Sequence, residues 1–217
     1  LEWAFLPMLE DRSEASPVVL HRALANSPDF FIQLICEIFR PRNRSEEDNE
    51  EEISDDRRKK AESGYRLLKG WRIIPGTTEG EETVISFDSL KKWFIEMKDL
   101  AETADRLEVA GSIFGETLAH APDGSDSVWP CEPVRKLLEE HSYDSIWSGL
   151  HCGIVNKRGA YFVDGGRSER EIAEKYNRWA TACAIKWPNV ADFLRRMRDD
   201  YISQAKHYEG EEEFRRD

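Results

Sequence analysis

No apolar run in this sequence approaches the ~20 residues that a membrane-spanning helix needs, so no transmembrane segment is read from it. No positively charged leader opens the chain either. It begins Leu-Glu-Trp-Ala-Phe, without Met and in the middle of a helix-like pattern, as a piece cut from a longer protein would. Cysteine is scarce: Cys36, Cys131, Cys152 and Cys183 form no Cys-x-x-Cys pair, which removes the common zinc and dithiol signatures. Cys36 and Cys183 fall in apolar helical patterns, where a reduced thiol acts as a small hydrophobe, so reduced thiols in a cytoplasmic setting are expected. Positive charge is in deficit, with 31 basic residues against 43 acidic ones and a formal net charge of −12. Proteins that bind nucleic acid draw affinity from neutralising phosphates, so general nucleic-acid binding is not expected.

What is present points to a folded body. Hydrophobic residues make up 40% and aromatics 11%, with seven tryptophans, more apolar material than a disordered chain carries. A length of 217 residues fits one large domain or two small ones. We read 1–217 as a single helical domain with an acidic loop over 42–57 and a charged tail over 209–217. The acidic excess is local: Ser45 to Asp56 holds eight carboxylates and no base, and without those eight the 43 acidic residues fall to 35 against 31 basic. Such a tract reads as a solvated insertion between helices, with partner binding or nucleic-acid mimicry as the functional alternative. Arg57-Arg58-Lys59-Lys60 follows it at the start of the next helix, flanked by carboxylates, where pairing with the acidic tract is the plain reading.

Helical periodicity dominates the chain. Leu1 to Glu10 is a short apolar segment, and Ser16-Pro17 and Ser27-Pro28 are helix starts. Phe30 to Phe39 carries a wide apolar stripe that Pro41 ends. Leu90, Trp93, Phe94, Met97 and Ala101 define a long helix from Phe87 to Leu107. Its pattern continues to Leu118 either unbroken or with a kink near Gly111, and Gly111 and Gly115, four apart, are placed to let a neighbouring backbone come close. Further helices follow from Pro130, from Ser142 or Asp144, from Ser168, and from Pro188 to about Tyr208. Thr83 to Ser86 and Ala160 to Val163 are short extended pieces. The expected fold is therefore all-α: an irregular bundle of eight or nine helices with little or no β-structure. Helix pairs over 87–119 and 168–206 are of similar size, as in a solenoid, but share no motif.

The least helix-like stretch is Gly149 to Arg167, with five glycines. Its first half, through Val155, fits the helix carrying Ile146, Trp147 and Leu150. Asp164-Gly165-Gly166-Arg167 before a helix has the outline of an anion site, whose donors would be the N–H groups of Gly165, Gly166 and Arg167. The segment lacks the Lys-Ser/Thr ending of a P-loop and the context of a dinucleotide fingerprint. A turn closed by a Ser168–Glu171 capping box accounts for the same residues. His151-Cys152 has no His or Cys at i+3 or i+4 to complete a metal site, and His21, His120, His141 and His207 are scattered, so no metal or cofactor is expected. His151, Cys152 and Asp164 remain the nearest thing to catalytic residues. Asp123-Gly124-Ser125-Asp126 lacks the twelve-residue calcium pattern. Arg195, Arg196, Arg198 and Lys206 form a basic face, with Asp199 and Asp200 beside it.

The segments Ala101 to Arg106, Leu118 to Pro122, Trp129-Pro130, Asn156-x-Arg158-Gly159, Gly165-Gly166 and Ala180 to Pro188 resemble the C-terminal helical region of large bacterial multidomain proteins of unknown function. The likeness covers about half the sequence. It implies a bacterial source and a longer parent chain, and no activity. The sequence thus leads to a non-catalytic interaction or scaffold domain whose partners are other domains of the parent chain or another protein, with no membrane role. An enzyme with a site around 149–167 is the alternative, and nucleic-acid binding through residues 195–198 is the next.

Overall fold

The computed structural model describes residues 17–41, 54–78, 84–159 and 164–216. The readings placed on 1–10, on 160–163 and on most of the acidic tract lie outside them. Among the described residues the fold is all-α, with nine helices and one antiparallel pair of two-residue strands, Thr77–Thr78 (β1) and Val84–Ile85 (β2). Contacts group the chain into two compact units, 1–120 with 143–153, and 121–142 with 154–217.

The first unit contains α1 (Val18–Asn26), α2 (Pro28–Ile38), α3 (Asp55–Gly70), the strand pair, α4 (Phe87–Thr103) and α5 (Leu107–Leu118). Serine starts three of these helices: Ser27, Ser54 and Ser86 accept from Phe30 N, Arg57 N and Ser89 N, which satisfies donors that the first turn leaves open. The core is aromatic. Trp93 lies within 5.3 to 5.9 Å, centroid to centroid, of Phe114, Phe31 and Trp71, and its indole N–H donates to Leu24 O at 3.1 Å.

The segment is neither one unbroken helix nor kinked at Gly111: the break lies earlier, between Thr103 and Leu107. Asp105 takes a left-handed φ of 53°, and Arg106 N–H reaches back to Ala101 O at 2.8 Å, which closes α4 with a Schellman-type turn. Gly111 and Gly115 stay inside α5 and receive α7 (Asp144–Arg158). A Cβ on Gly115 would fall on Ile146 O, and one on Gly149 would fall on Ser112 O. On Gly153 it would stand 2.7 Å from Glu116 O. Gly115, Gly149 and Gly153 therefore bring two backbones together, while Gly111 makes room for the Tyr143 and Ser145 side chains.

The second unit holds α6 (Glu132–His141), the end of α7 from Ile154, α8 (Arg167–Cys183) and α9 (Pro188–Arg216). α8 and α9 form a hairpin turned at Ala184 to Trp187. Tyr176 stacks on Tyr201 at 5.6 Å, and Gly166 lies so close to Ala205 that a Cβ would stand 2.5 Å from Ala205 O. α9 continues past the expected end at Tyr208 to Arg216, and Glu209 is tied to Arg170 at 2.6 Å.

Candidate functional site: an arginine-lined groove on the first unit

Helix α2 stops at Ile38, Phe39 turns extended and Pro41 follows. Across from it, residues 57, 58, 61, 62 and 65 recur at helical spacing and share one face of α3. Gly64 lets the two helices approach, since a Cβ there would stand 2.9 Å from Leu34 Cδ1. Between the end of α2 and that face of α3 lies a half-open cavity of about 430 Å³. Ile38, Phe39, Ala61 and Tyr65 give it an apolar wall, with Phe39 and Tyr65 meeting edge-on at 6.4 Å. Arg40, Arg57 and Arg58 line it, as do Glu37 and Glu62. None of these five has an ion-pair partner among the described residues.

A fourth guanidinium comes from the α4–α5 corner. Arg106 is only 7% exposed. Its Nε donates to Phe39 O at 3.0 Å and its Nη1 to Ala104 O at 2.9 Å, so it closes the open ends of α2 and α4 while lining the cavity. Its Nη2 has no hydrogen-bond acceptor among the described residues. The groove can hold a ligand that has both negative charge and apolar surface.

The residues singled out from the sequence are placed differently. His151 and Cys152 are exposed on α7, in the first unit. The Cys152 thiol lies in electrostatic reach of Lys69, whose Nζ donates to both Glu116 oxygens at 2.8 and 2.7 Å. Burial works to lower the Lys69 pKa, but the Glu116 hydrogen bond and charge outweigh it and raise it. Lys69 and Glu116 were not anticipated beside Cys152; nothing in the sequence couples positions 69, 116 and 152.

Asp164 belongs to the second unit and acts as a helix cap. Its carboxylate accepts from Ser168 Oγ at 2.6 Å and from Ser168 N at 3.1 Å, and the hydroxyl hydrogen bond, then the backbone one, hold its pKa below the ordinary carboxylate range. The expected Ser168–Glu171 box is therefore replaced by a cap from Asp164, with α8 starting one residue earlier at Arg167. Gly165 and Gly166 take φ of 72° and 83°, and Arg167 is exposed. The same helix start carries Glu169, 0% exposed and paired with Arg158. An external anion at Gly165 to Arg167 would thus share the helix dipole with two carboxylates of the chain itself.

On the basic face, Arg195 pairs with Asp192 at 2.5 Å and Arg198 with Asp199 at 2.8 Å, while Arg196 lies over the Phe193 ring. Asp126, in the segment considered for calcium, bonds the Nη2 of Arg135 at 2.8 Å. Burial works to raise the Asp126 pKa, but Arg135 and the Val128 N–H together lower it. Cys131 and Cys183 are buried, which pushes both thiols up. Among the described residues no group of three or more His, Cys, Asp or Glu side chains is placed to hold a metal ion, and no helix is long and apolar enough to cross a membrane. Comparison with family models, with curated proteins and with solved structures returns no match for this chain.

Proposed function

We propose that the chain is a helical interaction module, the helical part of a larger bacterial cytoplasmic protein, that works by docking a partner. The observation that carries this reading is the groove beside α2 and α3: a half-open cavity of about 430 Å³ with an apolar wall and three arginines that have no ion-pair partner among the described residues. Guanidinium groups are enriched where proteins recognise partners, and they bind carboxylates in a fixed planar geometry. Hydrogen–deuterium exchange tests the reading, comparing the protein purified from its own cells, with the proteins it carries, against the recombinant chain alone. Exchange over 28–41 and 55–66 slows in the native sample if the reading holds. Identical exchange along the whole chain overturns it.

A second reading, an enzyme built around Cys152, is favoured by the Lys69–Glu116 pair beside that thiol. Alkylation by iodoacetamide at neutral pH, faster at Cys152 than at Cys36 and slowed to the Cys36 rate in a Lys69→Met variant, would raise this reading above the first.

A further inference from the structure

We propose that the α2–α3 groove is a receptor for an acidic peptide segment of a partner protein, one that alternates carboxylates with apolar side chains. This rests on the docking role proposed above and names what docks. Arg40, Arg57, Arg58 and Arg106 all line one cavity, in a chain whose formal net charge is −12. The local sign is thus opposite to that of the whole molecule, and it is complementary to an anion. Arg106 is held by three carbonyls, those of Phe39, Ala104 and Asp105, so its remaining Nη2 is presented without further loss of side-chain freedom, the condition under which an arginine adds most to recognition.

Glu37 and Glu62 decide the class of anion. They line the same cavity and would repel a compact, multiply charged phosphate. A peptide spaces its charges: its carboxylates meet the arginines, its backbone N–H groups donate to Glu37 and Glu62, and its apolar side chains cover Phe39 and Tyr65. The aromatic pair, with centroids 6.4 Å apart, supplies a rigid contact of the kind that anchors interfaces.

The test uses a fluorescein-labelled octapeptide of alternating Glu and Phe, its Gln-for-Glu counterpart, and inorganic tripolyphosphate as a competitor. The Glu peptide binds the chain, its affinity falls at least tenfold in R57E/R58E, and the Gln peptide binds at least tenfold more weakly. R178E, a charge change elsewhere on the surface, leaves binding unchanged, and far-ultraviolet circular dichroism confirms that each variant folds. Cysteine labelling gives an independent readout. Cys36 lines the groove and Cys152 does not, and both are exposed. Saturating Glu peptide slows maleimide labelling of Cys36 at least fivefold and leaves Cys152 unchanged. Equal binding of Glu and Gln peptides, displacement by tripolyphosphate at equal charge, or binding that survives R57E/R58E overturns the proposal. If those failures occur while α2 and α3 still gain protection in the native sample, the partner chemistry is wrong and the docking role stands.

Discussion

In the first unit the side chains buried most completely are Trp71, Phe31, Phe94, Phe114 and aliphatic neighbours; in the second, a guanidinium and a carboxylate are buried as deeply. Arg135 is 1% exposed and Glu169 0%. The Arg106 of the first unit is also buried, but it bonds to carbonyls and makes no ion pair among the described residues. The difference matters because the two kinds of contact fail differently. Apolar and backbone contacts lose stability when volume is removed or added. A buried ion pair contributes little net stability over an apolar replacement, yet removing one partner leaves the other charged and desolvated. The first unit should therefore be sensitive to shape and the second to charge.

The largest effect is expected from Glu169→Ala, which removes the ion-pair partner of Arg158 and leaves that guanidinium Gln204 and the Tyr201 ring. Its loss should cost about 3–5 kcal/mol, read as a fall in urea midpoint. Replacing both partners, Glu169→Leu with Arg158→Met, should recover most of it. If the double variant is as unstable as the single one, uncompensated buried charge is not what destabilises the single variant.

Next in size is Gly149→Ala. A Cβ there meets the backbone of Ser112 and not a flexible tip, so the α5–α7 contact must open. The cost should be about 2–3 kcal/mol, although alanine is the better helix former by about 1 kcal/mol. Gly210→Ala sharpens this, since nothing lies within 4 Å of the added carbon in α9. There only the backbone term acts, and a gain of up to about 1 kcal/mol is expected. Equal effects at the two positions, measured by urea denaturation, would remove the argument from close approach.

These residues also show how far the sequence could be read. Periodicity was enough for the helices, because the apolar stripe of each is a property of adjacent turns. Gly111 and Gly115 could be recognised as a place for a neighbour, but not which neighbour; that Gly149 and Gly153 answer them depends on α7 crossing α5, about 40 residues away. The turn between α4 and α5 is not legible, because glycine is the common signal for a left-handed residue, and here Asp105 adopts it, closed by Arg106 N–H. The cap of α8 was assigned to Ser168 because the Ser-x-x-Glu spacing fits; Asp164, four residues ahead, reaches the same donor with a charged oxygen. The groove was least legible. Arg57 and Arg58 stood out only as a cluster flanked by carboxylates, and Arg106 not at all, since its contact with Phe39 O joins residues 67 apart.

The charge side of the comparison carries a sign. In the second unit, Lys186 lowers the Glu132 pKa through a hydrogen bond and its charge, Ser168 lowers that of Asp164 and Arg170 that of Glu209. At Asp126 burial opposes the shift, and Arg135 prevails to lower it. A carboxylate with a depressed folded pKa contributes stability that is complete above its unfolded value, about 4, and is lost as pH falls through the folded value. In the first unit the corresponding group is Lys69, whose raised pKa acts in the opposite direction: wherever Glu116 is ionised its contribution is present below about 10.4 and is lost as alkali passes the folded value. Hydrogen exchange by mass spectrometry, corrected for intrinsic rates, at pH 7 and pH 3 is the most direct measurement. Peptides from α8 and α9 are expected to lose protection at pH 3 while those from α4 keep it; loss of protection in both units together, or first in α4, would contradict the comparison.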